Sequence, residues 1–111
     1  MNSILKNQIE KSFALVISDF KDEKEANNFL TDFLSPREFE ILSKRLAIAY
    51  WLTKKRNYAN IQNNLRASSK TIAETLPLLK KASIQKAIKN LDADEWATKW
   101  SQKLTNLIKD R

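Results

Sequence analysis

NYANIQNNLRASSKTIAETLPLL, residues 57–79, reads as two short helices joined by a tight turn at Arg66-Ala67-Ser68. Ile61 and Leu65 stand four apart, the spacing of one buried helical face, and Ile72, Leu76 and Leu79 repeat it beyond the turn. Ser68 is placed to cap the second helix, which opens on the polar residues Ser69, Lys70 and Thr71. Pro77 has no backbone N–H to donate, so the second helix is expected to kink or stop near it. This is the pattern of a helix-turn-helix unit, whose second helix meets the major groove of DNA by its N-terminal end.

Upstream of this unit the sharpest start signal is Ser35-Pro36-Arg37-Glu38. Serine at the cap, proline at the first helical position and glutamate three residues after the cap meet the requirements of a capping box. The helix it opens should run to about Lys55, and it is apolar on two sides: Phe39, Leu42, Leu46 and Ala49 on one, Ile41, Ile48, Trp51 and Leu52 on the other. One stripe is enough for a surface helix, so the second calls for a partner subunit, the favoured reading, or for burial by the chain itself. Lys54-Lys55-Arg56 follows, where cations suit both the helix C-terminus and a DNA-reading unit just ahead.

Nearer the N-terminus, Ile9, Phe13, Val16, Ile17 and Phe20 recur at threes and fours, which predicts an amphipathic helix from Ile4 to about Phe20. Asp22 is a candidate cap for a second helix carrying Ala26, Phe29, Leu30, Phe33 and Leu34. Beyond residue 79, Ile84, Ala87, Ile88 and Leu91 predict another short helix. The acids of Asp92-Ala93-Asp94-Glu95 suit the start of a last one, striped by Trp96, Trp100, Leu104, Leu107 and Ile108. The 111 residues are therefore read as one all-helical domain: dimerisation helices over 1–55, a helix-turn-helix over 57–79, C-terminal helices over 82–111.

Composition narrows the chemistry. With no Cys and no His there is no thiolate or imidazole for a metal site, a nucleophile or a base working near neutral pH. With no Gly, the phosphate-cradling loops of nucleotide-binding enzymes are excluded. Acid clusters such as Asp22/Glu23/Glu25 are read as helix-start charge, so an enzyme is not expected. The longest apolar run, residues 46–52, is far short of the roughly 20 needed to cross a bilayer. With no signal-peptide core, a cytoplasmic protein without membrane contact is expected.

The distribution of charge points the same way as the motif. Residues 1–34 carry a net charge of −2, residues 35–89 carry +9 and residues 90–111 carry 0. The excess falls on the segment holding the helix-turn-helix pattern, as expected where Lys and Arg displace the counterions of DNA phosphates.

These features together resemble the tryptophan repressor family. The likeness runs over roughly residues 8–80 and is carried by Leu34-Ser35-Pro36-Arg37-Glu38, by Arg45 and Ile48 on the long helix, and by Ile61, Leu65, Ala67, Thr71 and Ile72. The resemblance implies an all-helical, intertwined homodimer that places one recognition helix in each half-site of a roughly palindromic double-stranded operator. Implied base contacts fall on Ser69, Lys70 and Ala73. Gln62 and Tyr58 of the first helix, Ser68, Thr71 and the Lys54-Lys55-Arg56 run are expected at the DNA backbone.

Three departures separate this chain from the pattern. The family's turn glycine is Arg66, which costs roughly 1 kcal/mol if φ there is positive. A base-contacting arginine of the first helix is Ala59, so the operator need not be the same. Of the corepressor pocket, Arg45 matches one of the two arginines that clamp the amino-acid ligand and Ser35 stands near the family's threonine, but the second arginine is Glu74. A carboxylate there repels a ligand carboxylate and is positioned to pair with Arg45 instead. Weak or absent L-tryptophan binding is expected; another small corepressor is the alternative ligand, and otherwise no cofactor is implied. A helical protein-interaction module using Trp96 and Trp100, without DNA readout, is the alternative function. A basic membrane-surface protein ranks third, because the basic excess and the Trp stripe occupy different segments.

Overall fold

The computed structural model describes residues 1–93, in which all regular structure is helical. The elements are α1 (Ser3–Ser18), α2 (Glu23–Phe33), α3 (Pro36–Thr53), α4 (Tyr58–Leu65), α5 (Ser69–Thr75), a 3-10 turn (Leu76–Lys80) and α6 (Ala82–Asp92). The expected last helix with Trp96 and Trp100 lies outside the described residues. The chain forms two compact units, one over Met1–Glu40 and one from Ile41 onward, with α3 running from the first into the second.

In the first unit the helix boundaries follow the side chains that satisfy their exposed N–H groups. Asn2 Oδ1 accepts from Ile4 N at 2.7 Å, and Asp22 Oδ1 accepts from Glu25 N at 2.9 Å. At α3 the capping box closes in both directions: Glu38 N donates to Ser35 Oγ at 3.1 Å, and Ser35 N donates to Glu38 Oε1 at 2.8 Å. The Ser35 N–H, and after it the hydroxyl, hold the Glu38 carboxyl below the usual glutamate range. A row of rings links α1 to α2, with Phe29 stacked on Phe33 at 5.0 Å, Phe20 against Phe29 at 5.2 Å and Phe13 against Phe33 at 5.8 Å. No residue of α1 or α2 is fully buried, and Ile4, Ile9, Phe13, Val16 and Ile17 are exposed.

The second unit has a closed core. Ile48, Ala49, Tyr50 and Trp51 of α3, Ile61 of α4, Ile72 of α5 and Ile88 of α6 are buried together. Leu52, Leu65, Ala67, Leu79, Ile84 and Leu91 pack around them. Cover of the long helix thus changes along its length and within each apolar side. Ile48, Ala49 and Trp51 towards its C-terminal end are covered by the chain, while Ile41, Leu42 and Leu46 before them remain exposed.

Two boundaries differ from the sequence reading. The long helix stops at Thr53 rather than Lys55, because the chain closes it with a Schellman pair: Lys55 N donates to Leu52 O at 3.1 Å and Arg56 N to Trp51 O at 3.3 Å. That closure puts Lys55 in the left-handed region at φ 58° and lays the Arg56 guanidinium over the Trp51 ring at 4.4 Å. Asp92 does not open a helix. It is the last residue of α6, and its carboxylate is taken up by Tyr50 of α3 and by Lys54 just past the end of α3. Pro77 does end α5, which stops at Thr75 and gives way to the 3-10 turn.

Candidate nucleic-acid interface

The helix-turn-helix is assembled from local rules. Asn57 Oδ1 caps α4 by accepting from Asn60 N at 2.8 Å. The turn is made by Arg66, left-handed at φ 51° and ψ 47°. Ser68 then caps α5, its Oγ accepting from Thr71 N at 3.1 Å and lying 2.9 Å from Thr71 Oγ1. Ile61 of α4 and Ile72 of α5, both fully buried, anchor the pair on the core. Thr75 is buried beside them and its hydroxyl donates to Thr71 O at 2.8 Å, so a polar group inside the unit keeps a partner.

With Ile72 and Thr75 turned inward, the helical repeat sets Ser69, Ala73 and Lys70 on one arc of about 100°. All three are exposed. The neighbouring flank carries Thr71 and Glu74, which with Thr75, Leu78, Ile41 and Arg45 line an open groove of about 260 Å³. One short helix therefore presents three faces: the core, an open polar arc, and a groove shared with α3.

The structure sorts the other sequence-derived candidates. Tyr58 is exposed and Gln62 half-buried, one turn apart on α4. Ser68 is exposed but its hydroxyl is engaged as the cap. Lys55 is exposed in the turn. Arg56 lies on Trp51 and donates to Asn60 Oδ1 at 3.3 Å. Lys54 is held: its Nζ lies 2.6 Å from Asp92 Oδ1 and 5.3 Å from the centre of the Tyr50 ring. The same Asp92 oxygen accepts the Tyr50 hydroxyl at 2.9 Å. Lys54, and after it Tyr50, lower the pKa of the Asp92 carboxyl, and the hydrogen bond to Asp92 raises that of Lys54. Burial, and then the bond to Asp92, push the Tyr50 phenol up.

Of the three pocket residues read from the sequence, Arg45 and Glu74 meet on the groove, whereas Ser35 belongs to the first unit, where it caps α3. Arg45 and Glu74 share the groove without an ion pair between them among the described residues. The contact of Tyr50 with Asp92 was not read from the sequence. It spans 42 residues, and the only local signal is the four-residue spacing of Tyr50 on α3 and Lys54 just past its end.

The family described as Trp repressor protein matches residues 8–92, from within α1 to the last residue of α6. The chain belongs to the Trp repressor family. Members of the Trp repressor family are DNA-binding regulators of transcription rather than enzymes. Comparisons with curated proteins and with solved structures return no significant match. The Trp repressor match takes in both the α4–α5 unit and the Tyr50–Lys54–Asp92 cluster. Among the described residues no helix is long and apolar enough to cross a membrane, and no group of acids is arranged to hold a metal ion.

Proposed function

We propose that this chain is a sequence-specific transcription regulator that binds a roughly palindromic operator as a homodimer and does not answer to tryptophan. The observation that carries the reading is the state of α5. It is capped by Ser68 and anchored by Ile72 and Thr75, and its Ser69, Lys70 and Ala73 arc is open. Lys70 has the length to donate to a guanine edge or a phosphate, Ser69 to donate to a phosphate, and Ala73 to lie against a thymine methyl. Tyr58, Gln62 and Lys55 supply polar and cationic groups for the flanking backbone. Selection of bound duplexes from a random pool at two salt concentrations tests this. A palindromic consensus is expected, and salt-sensitive binding without sequence preference would overturn it.

The tryptophan-silent part of the reading is supported by the groove. Arg45 offers one cation to a ligand carboxylate, but Glu74 sets a negative charge on the same lining. Calorimetry with L-tryptophan is expected to give no saturable heat, and micromolar uptake would refute it. The dimer is supported by the apolar residues left open on α1 and on the first half of α3, and cytoplasmic action on DNA follows from the regulator role.

A further inference from the structure

The basic run that leads into the helix-turn-helix does not present three equal cations. Lys54 is drawn to Asp92, 38 positions later in the chain, at 2.6 Å, while Lys55 one residue on is exposed in a left-handed turn. Both members of the pair are only partly covered, with side chains 42% and 43% exposed, so the contact lies where another polyanion can reach it. A carboxylate oxygen and a phosphate oxygen offer an ammonium the same charge-assisted bond. An ion pair this exposed is weakly held and gives way to a competing anion. The Asp92 oxygen has a second donor in the hydroxyl of Tyr50, itself buried, which fixes the carboxylate in front of Lys54 whether or not Lys54 stays.

From this geometry we infer that Asp92 is a built-in counter-ion for Lys54, occupying the place of a DNA phosphate and holding one cation of the interface in reserve. The inference rests on the DNA-binding reading above and assigns Asp92 as a positioning residue that acts through Lys54. Its effect is sequence-independent, because a phosphate contact reads no bases. It lowers affinity for every duplex by the same factor and leaves discrimination between duplexes to Ser69, Lys70 and Ala73.

Asp92→Asn separates charge from anchoring, since the amide oxygen still accepts from Tyr50. In the full chain, D92N is expected to bind an unrelated duplex several-fold more tightly. Its salt dependence should steepen by about 0.9 in the log–log slope, which is about a three- to fourfold extra gain between 200 and 50 mM salt. Lys54→Ala should cancel that gain, so K54A costs more in the D92N background than in the native one. Equal binding by D92N and the native protein, or an equal cost of K54A in both backgrounds, overturns the inference and leaves Asp92 a structural tie, with DNA binding intact. Absence of binding to any duplex by either protein overturns both readings. Should D92N fail to fold, Lys54→Gln and Lys55→Gln in the native background decide the matter. The reserved Lys54 should contribute less than half of the slope that Lys55 does, and equal contributions overturn the inference.

Discussion

Arg66 is the residue at which the turn between α4 and α5 carries backbone strain. Its φ of 51° places a side chain with a Cβ in a region that disfavours it by about 1 kcal/mol, and nothing but the turn between α4 and α5 requires that conformation. Arg66→Gly is therefore expected to raise stability by about 0.5–1 kcal/mol, read as a higher urea midpoint at unchanged slope. A lower midpoint would mean that the arginine supplies something the turn needs. Glu38 carries a pH signature at the same scale. Its folded pKa is lowered, so its contribution is fully present above the ordinary value of 4.5 and is lost as pH falls through the folded value. Glu38→Gln keeps an acceptor for Ser35 N but cannot titrate, so its stability should fall less than that of the native protein between pH 5 and 3. Parallel acid limbs in the two proteins would assign the effect elsewhere.

At the scale of elements, what could be read from the sequence divides by the range of the interaction. Caps are local, so Asp22, Ser35 and Ser68 are legible from three or four residues each, and the structure places all three where their side chains accept from the opening N–H groups. Pro77 ended α5 for the same reason: a missing donor acts on its own turn. The end of α3 was less legible, because the left-handed Lys55 that closes it is not the glycine that normally signals such a stop. Asp92 was assigned to the start of a last helix and is instead the last residue of α6, while Asp94 and Glu95 of the same run lie outside the described residues. Acids after an apolar run suit a helix start, and only the fold brings Asp92 to Tyr50 and Lys54.

These elements differ in what holds them, and mutation should show it. Ser68→Ala removes one cap bond and is expected to cost about 1 kcal/mol, with operator affinity falling as the first turn of α5 frays. Ile72→Ala empties a fully buried site in a helix of seven residues and is expected to cost about 2–5 kcal/mol. Amide exchange checks the difference. The S68A effect should be confined to the start of α5, while I72A should raise exchange throughout residues 57–79. A local effect in both would show that α5 does not share its stability with α4.

At the scale of the whole molecule, the unmet apolar surface is the fact to be explained. α1 has 16 residues and buries none of them, and a lone helix of that length is marginal in water. Ile4, Ile9, Phe13, Val16 and Ile17 on α1 are exposed, and so, in the second unit, are Ile41, Leu42 and Leu46 on α3; apolar side chains open in such numbers mark surfaces that a partner covers. A second copy of the chain is the cover proposed above, and its two-fold symmetry makes each substitution count twice. Leu42 and Leu46 are 47% and 42% exposed, so a partner has about half of each side chain left to bury. At about 1.5–3 kcal/mol for a whole leucine, that is roughly 0.7–1.5 kcal/mol per residue and twice that per dimer. Leu46→Ser is thus expected to weaken dimerisation by about ten- to a hundredfold. Sedimentation across micromolar concentrations reads that shift directly, and a native chain that stays monomeric there, or an L46S chain that dimerises as tightly as the native one, rules the shared scaffold out. Where the dimer is lost, a palindromic duplex should be bound no better than its single half-site, because the second recognition helix is no longer delivered with the first.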